Sequence, residues 1–262
     1  MKFIDLRYIS FIVIFNLFIP NLHAQDGLQI SVSGLGGIGL VSPQNHYDNP
    51  FYELDYKYKL GYGGQVNVGY GLSSNIAIVF TSGYQTYHQQ YKGNFSPGYG
   101  SPDQSHLKDI NLDYINLGLM AKYTTSFKDD YVFDTKAQLV VMGGLIASKL
   151  INADVSYLAN GEEISYPSKI PPYNFPGVEY PYTPITNDKE LFTKWALSFV
   201  LNIGTDIFIT PELALSPSIQ GQIAILDINN KNYRNHENYK SSRLLFGGLN
   251  LGLTYYFSRA EN

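Results

Sequence analysis

The sequence has no cysteine and a single tryptophan, and only 15% of its residues are charged. Without cysteine there are no disulfides, no thiolate metal sites and no cysteine for lipid attachment at a mature terminus. Lys and Arg number 18 against 22 Asp and Glu. That balance argues against nucleic-acid binding, which depends on clustered cations that displace counterions. Long apolar runs are missing too. Tyr8 to Ile19 is twelve residues broken by Ser10 and Asn16, whereas a membrane-crossing helix needs about 20. No second apolar run reaches that length, which excludes a helical membrane protein.

The short run instead has the form of a secretory signal. Lys2 and Arg7 precede it, Pro20 breaks it, and Ala24 offers a small residue for cleavage before Gln25. Residues 1–24 are therefore expected to be removed, leaving 25–262 as one all-β domain. Losing two basic residues and one acidic one takes the formal charge from −4 to −5.

What is present is alternation. The segment from Arg243 to Phe257 sets Leu245, Gly247, Leu249, Leu251, Leu253, Tyr255 and Phe257 on one face. Phe246, Gly248, Asn250, Gly252, Thr254 and Tyr256 fall on the other. Seven further segments repeat the pattern: 28–40, 60–70, 76–87, a fourth ending at Tyr123, 131–147, 191–208 and 213–226. The links between them alternate in length. Gly71 to Asn75, Thr124 to Asp130 and Ile209 to Glu212 are short; 41–59, 88–109, 148–190 and 227–243 are long. Short turns at one end and long loops at the other predict an eight-stranded antiparallel up-and-down transmembrane β-barrel. Its short turns would be periplasmic, its long loops extracellular, and both termini would lie on the short-turn side.

Charge placement separates this reading from a soluble sandwich, whose wet face normally carries Lys, Glu and Arg. The first, second, third and seventh segments contain no charged residue, and the eighth none after Arg243. Their second face is Gly, Ser, Thr, Asn and Gln, which suits a closed interior while the apolar face meets hydrocarbon. Gln65, Asn67, Asp134, Lys136, Gln138, Gln220 and Asn250 are expected to interlock inside. A lipocalin-like barrel would need large apolar residues pointing inward. Tyr62, Tyr70, Tyr84, Tyr123, Tyr131, Trp195, Phe208, Tyr255 and Phe257 lie towards strand ends, where aromatic rings favour the headgroup level, although Tyr and Phe are also good strand formers.

Several motifs carry less than they promise. Gly34 to Gly39 matches G-x-G-x-x-G, but a dinucleotide site needs a helix to follow, and Val41-Ser42-Pro43-Gln44-Asn45 opens a loop. His46, His88, His106 and His236 fall in loops with Asp48, Asp55, Asp103, Asp109 and Glu237 nearby; their convergence at the mouth would make an acid–base pair or metal site. None has helical spacing or a nucleophile in recognisable context, so no catalytic, cofactor-binding or metal-binding residue is assigned. Loop 148–190 is rich in Pro and Tyr, from Tyr166-Pro167 to Thr183-Pro184, and reads equally as a partner or glycan surface or as a flexible cap. Loop 227–243, with five asparagines between Asn229 and Asn238, lacks the Asp spacing of a calcium loop.

Asp113-Tyr114-Ile115-Asn116-Leu117-Gly118-Leu119, the stretch Met142-Gly143-Gly144-Leu145 and the close Gly252-Leu253-Thr254-Tyr255-Tyr256-Phe257 resemble the small outer-membrane β-barrels of Gram-negative bacteria, PorT-like and OmpX-like. The likeness covers nearly the whole of 25–262, with one departure: Ser258 to Asn262 follow the closing aromatic. It implies an outer-membrane protein, monomeric, embedded in lipid, without cofactor and without enzymatic activity. Such a protein would act through its loops in surface structure, adhesion or assembly, with an extracellular protein or glycan as partner of loop 148–190. A rim-located hydrolase of lipid or peptide and a porin-like small-solute channel are the alternatives.

Overall fold

Period-two segments whose every backbone group must find a partner form one sheet that closes on itself. The computed structural model describes residues 27–42, 55–73, 75–95, 104–126, 137–159, 161–163, 187–231 and 241–257. Among them are β1 (Leu28–Ser42), β2 (Asp55–Tyr58), β3 (Leu60–Gly71), β4 (Ile76–Phe95), β5 (Gln104–Ser126), β6 (Ala137–Ala159), β7 (Glu162–Glu163), β8 (Trp195–Phe208), β9 (Leu213–Ala224) and β10 (Arg243–Tyr256). Each of the eight main strands pairs antiparallel with its chain neighbours. β1 pairs with β10 from Gln29↔Tyr256 to Ser42↔Arg243, and this seam closes an eight-stranded barrel. The short β2 and β7 are added to the upper ends of β4 and β6.

The faces divide as the alternation predicts. On β10, Leu249, Leu251 and Leu253 are half or more exposed, while Asn250 and Thr254 are buried. The outward apolar stretch runs nine residues on β4, Ile76 to Tyr84, and nine on β5, Ile115 to Tyr123. That suffices for a tilted strand to cross hydrocarbon. Tyr62, Tyr84 and Trp195 stand outward at one border, and Tyr70, Tyr123, Tyr255 and Phe257 at the other. Phe208 is a correction: its even position on β8 turns it inward, where it packs 5.4 Å from Tyr256. Tyr131 lies outside the described residues.

Three strands are longer than the alternation suggested. β4 continues to Phe95 rather than Tyr87, β5 starts at Gln104 rather than near Asp109, and β6 reaches Ala159 rather than Ala147. The loops expected to begin at His88 and Ser148 therefore begin only above these ends. Above the lipid belt the outer face turns polar with His88, Gln90, Asn111, Asp113 and Asp154, so the segments lose their apolar face to the outside. The inward face stays apolar with Tyr87, Tyr91, Ile110, Leu112, Leu150 and Val155, all buried. A water-exposed sheet thus rises from one side of the barrel. The expected strand residues 131–136 lie outside the described residues, and Leu191 belongs to a 3₁₀ turn (Asp188–Leu191) rather than to β8.

Two irregularities follow from local chemistry. Between the pairs Tyr58↔Gln89 and Gly63↔Gln85, four residues face three. Thr86 fills this bulge with its hydroxyl, which accepts from the Tyr62 N–H (2.9 Å) and donates to the Tyr62 carbonyl (3.2 Å). Pro217 on β9 has no N–H to give, and the β8–β9 ladder is interrupted there, between Gly204↔Ser218 and Ile207↔Leu215. The short turns are tight: at 209–213 the Ile209 N–H donates to the Leu213 carbonyl (2.8 Å), and the Leu213 N–H to the Thr210 hydroxyl (3.1 Å).

Candidate functional site

An eight-stranded wall leaves a lumen about as wide as the side chains that line it, so what fills the lumen decides what the barrel does. At the loop end the filling is apolar. Val41, Tyr87, Tyr91, Ile110, Leu112, Tyr114, Leu150, Val155, Leu244 and Phe246 form a continuous buried cluster with Phe192 and Ile228. Tyr87 meets Tyr114 and Phe246 edge-on, with centroids 5.7 and 6.3 Å apart. The Tyr91 hydroxyl donates to the Val41 carbonyl at 2.7 Å. Two loop segments fold over this plug. Asp188 accepts from the Val155 N–H (2.8 Å), the Thr193 N–H donates to the Ile228 carbonyl (2.6 Å), and Asn230 donates to the Glu190 carbonyl (2.9 Å). Beneath Ser242, Asp227 accepts from the N–H groups of Asn229 and Ser242.

At the short-turn end the lumen is polar and contains a buried ion pair. Lys122 on β5 crosses to Asp206 on β8 at 3.0 Å, both side chains almost wholly buried. Its other two protons go to the Gln29 side-chain carbonyl and the Tyr256 hydroxyl, each at 2.8 Å. Asp206 also receives the Tyr256 hydroxyl and, on its other oxygen, the Ser216 hydroxyl at 2.6 Å. Ser216 lies 2.7 Å from the Thr254 hydroxyl. Gln29 and Tyr256 are register partners across the closing seam. Lys122 therefore ties the first and last strands to the opposite wall, with all three ammonium protons used. That arrangement meets the condition under which a buried pair is tolerated at all.

The interlock expected of Gln65, Asn67, Gln220 and Asn250 takes a different form. All but the half-buried Gln65 are buried, but Asn67 donates only to Ser31 (3.0 Å), and Asn67 Oδ1 and Asn250 Oδ1 have no partner among the described residues. Gln138 is half-buried, and Asp134 and Lys136 lie outside the described residues.

Of the four candidate histidines, two lie on described strands. His88 is on β4, not in a loop, facing outward against the Tyr62 ring at 6.1 Å. His106 sits on β5 opposite Gly93, five residues along β4 from His88, roughly 17 Å at strand rise. His46 and His236 fall outside the described residues. Asp109, proposed as a neighbour of His106, instead pairs with Lys59 and accepts from Gln90 (3.3 Å). Among the described residues no group of three or more His, Cys, Asp or Glu is placed to hold a metal. Gly34 to Gly39 lie inside β1, which runs on to Ser42, so the glycines continue into strand.

A closed antiparallel barrel with a lipid-length apolar belt, aromatic borders and short turns at one end is the architecture of outer-membrane β-barrels. Neither a family model nor a characterised protein sequence matches the chain. Solved structures similar to it include Neisserial surface protein A (12% identity, 88% of this chain and 97% of that one, TM-score 0.43). The outer membrane protein OprG from Pseudomonas aeruginosa matches at 8% identity over 89% and 97%, TM-score 0.39. The attachment invasion locus protein Ail of Yersinia pestis, in complex with the heparin analogue sucrose octasulfate, matches at 11% over 88% and 99%, TM-score 0.37.

Proposed function

We propose that the protein is a monomeric, non-enzymatic outer-membrane barrel, exported by residues 1–24, that acts through its loop-end surface in surface structure, adhesion or assembly. The observation that carries this reading is the apolar plug. Tyr87, Ile110, Leu112, Tyr114 and Leu244 are fully buried in the lumen, and a packed core offers no continuous path for a solute. A macromolecular partner can then bind only outside, where β4, β5 and β6 raise a polar sheet above the lipid. The segment following that sheet, 164–186, carries the Pro and Tyr run suited to contact with a protein or glycan.

Two measurements on the purified chain test this. In planar bilayers it gives no unitary conductance; steady single-channel steps would overturn the plugged reading. In proteoliposomes, replacing 164–186 by a Gly/Ser linker of equal length abolishes retention of a panel of extracellular-matrix proteins and glycans. Retention unchanged by the replacement would refute a role for that loop.

A further inference from the structure

Between the Lys122 network and the plug lies a cavity of about 40 Å³, room for roughly three waters at 10–15 Å³ each. Its two walls differ. From β1, β3 and β10, Ser33 Oγ, Asn67 Oδ1 and Asn250 Oδ1 belong to side chains more than nine-tenths buried, line the cavity, and have no partner among the described residues. A buried polar atom left unpaired costs about 1–3 kcal/mol, so three on one wall mark a place built to receive hydrogen bonds. Facing them are Val79, Val140 and Met142, which offer none, with the buried Asn202 beside Met142. The ionic groups nearby are already mutually neutralised: Lys122 has spent its three protons and Asp206 accepts three. An anion would meet two amide carbonyl oxygens, and a cation would meet the ammonium of Lys122. The cavity also reaches Thr205 and Pro217, where the wall ladder is interrupted.

We propose that this cavity is a binding site for a small neutral hydrogen-bond donor carrying a short apolar body, of about three or four non-hydrogen atoms. Its one proton is shared between the Asn67 and Asn250 side-chain carbonyl oxygens, its oxygen accepts from the Ser33 hydroxyl, and the apolar body rests on Val79, Val140 and Met142.

The test is a titration of the full chain in lipid nanodiscs with propan-1-ol, followed by the side-chain amide resonances of Asn67 and Asn250. Methoxyethane, of equal size but with no donor, is the control. Saturable shifts of both amides with the alcohol and none with the ether are expected. Ser33→Ala and Asn250→Leu should each weaken the apparent affinity about tenfold, the size of one lost buried hydrogen bond. Heat-modifiable migration confirms that each variant is folded, and if Asn250→Leu fails that check, Ser33→Ala carries the comparison alone. A linear, non-saturating response, an equal response to the ether, or an unchanged affinity in folded Ser33→Ala would overturn the proposal. So would a site holding only water that the alcohol does not displace.

Discussion

Replacing Lys122 by Met keeps the length of the side chain and removes its charge, which isolates the ion pair from packing. In the native barrel the ammonium donates to Asp206 at 3.0 Å and to Gln29 and Tyr256 at 2.8 Å, with both charged side chains no more than about 6% exposed. Lys122→Met leaves the Asp206 carboxyl group in a closed lumen with only Tyr256 and Ser216 as donors. Removing one partner of a buried pair costs about 3–5 kcal/mol, because the surviving charge has lost its compensation. The double variant Lys122→Met with Asp206→Leu strands no charge, and replacing a whole buried pair by apolar groups is often near neutral. The double variant should therefore recover at least half of the loss, although Gln29 and Ser216 lose partners in it. The assay is urea unfolding in lipid vesicles followed by Trp195 fluorescence. Trp195 is the single tryptophan and lies about half exposed on the lipid-facing side, so its emission reports transfer from bilayer to water. If single and double variants fall equally, or the single variant falls by less than about 1 kcal/mol, the network does not hold the seam as described.

Other outcomes follow from single positions. A Cβ at Gly144 would sit 2.2 Å from the Leu119 carbonyl oxygen and 2.6 Å from Met120 Cα, whereas at Gly221 it meets nothing within 4 Å. Gly144→Ala should cost roughly 3 kcal/mol in the same unfolding assay, and Gly221→Ala should stay within about 0.5; equal effects would contradict the packing. Thr86→Val should cost about 2 kcal/mol by stranding the Tyr62 N–H and carbonyl at the bulge, while Thr86→Ser keeps the hydroxyl and most of the stability. Lys108, on the inward face of β5 above the belt, has its amine lowered by burial from 10.5 to about 8. Between those values the unfolded chain holds a proton that the folded chain has released, so this group adds stability as pH rises from 8 to 10.5. Because tyrosines released by unfolding ionise near their ordinary value of about 10, the measurement is the difference between wild type and Lys108→Met. That difference should move in favour of the wild type with rising pH, and a flat difference would refute the burial.

How far the sequence could be read depended on which face of a strand carried the signal. Within the bilayer both faces are informative, greasy outside and small or polar inside, and the eight strands with their short turns were legible from 28–40 through 243–257. Above the bilayer the logic inverts. His88, Gln90, Asp109, Asn111 and Asp113 look like loop residues in sequence, yet they are the wet face of strands whose other face, Tyr87, Tyr91, Ile110 and Leu112, packs into the plug. An apolar-inside pattern in place of an apolar-outside one marks the crossing point, near Tyr84 on β4 and Ile115 on β5. The inward position of Lys122 was legible from its phase with Asn116 and Gly118. Its partner was not, since Asp206 lies 84 residues away on β8, and it is the curvature of the sheet over β6, the strand both flank, that brings the two side chains together inside. Phe208 illustrates the remaining ambiguity: an aromatic at a strand end suits either a headgroup border or an interior stack, and one step of phase decides between them.

The claim on which all of this rests is that odd positions of β10 touch lipid while even ones face a sealed lumen. Because the chain has no cysteine, single cysteines can be placed at each position from 249 to 254, spin-labelled in vesicles, and measured for collision with oxygen and with a water-soluble nickel chelate. Oxygen accessibility should peak at 249, 251 and 253 and fall at 250, 252 and 254, with the chelate excluded from the peaks. A flat profile, or chelate access at Leu249, Leu251 and Leu253, would contradict the membrane-embedded barrel.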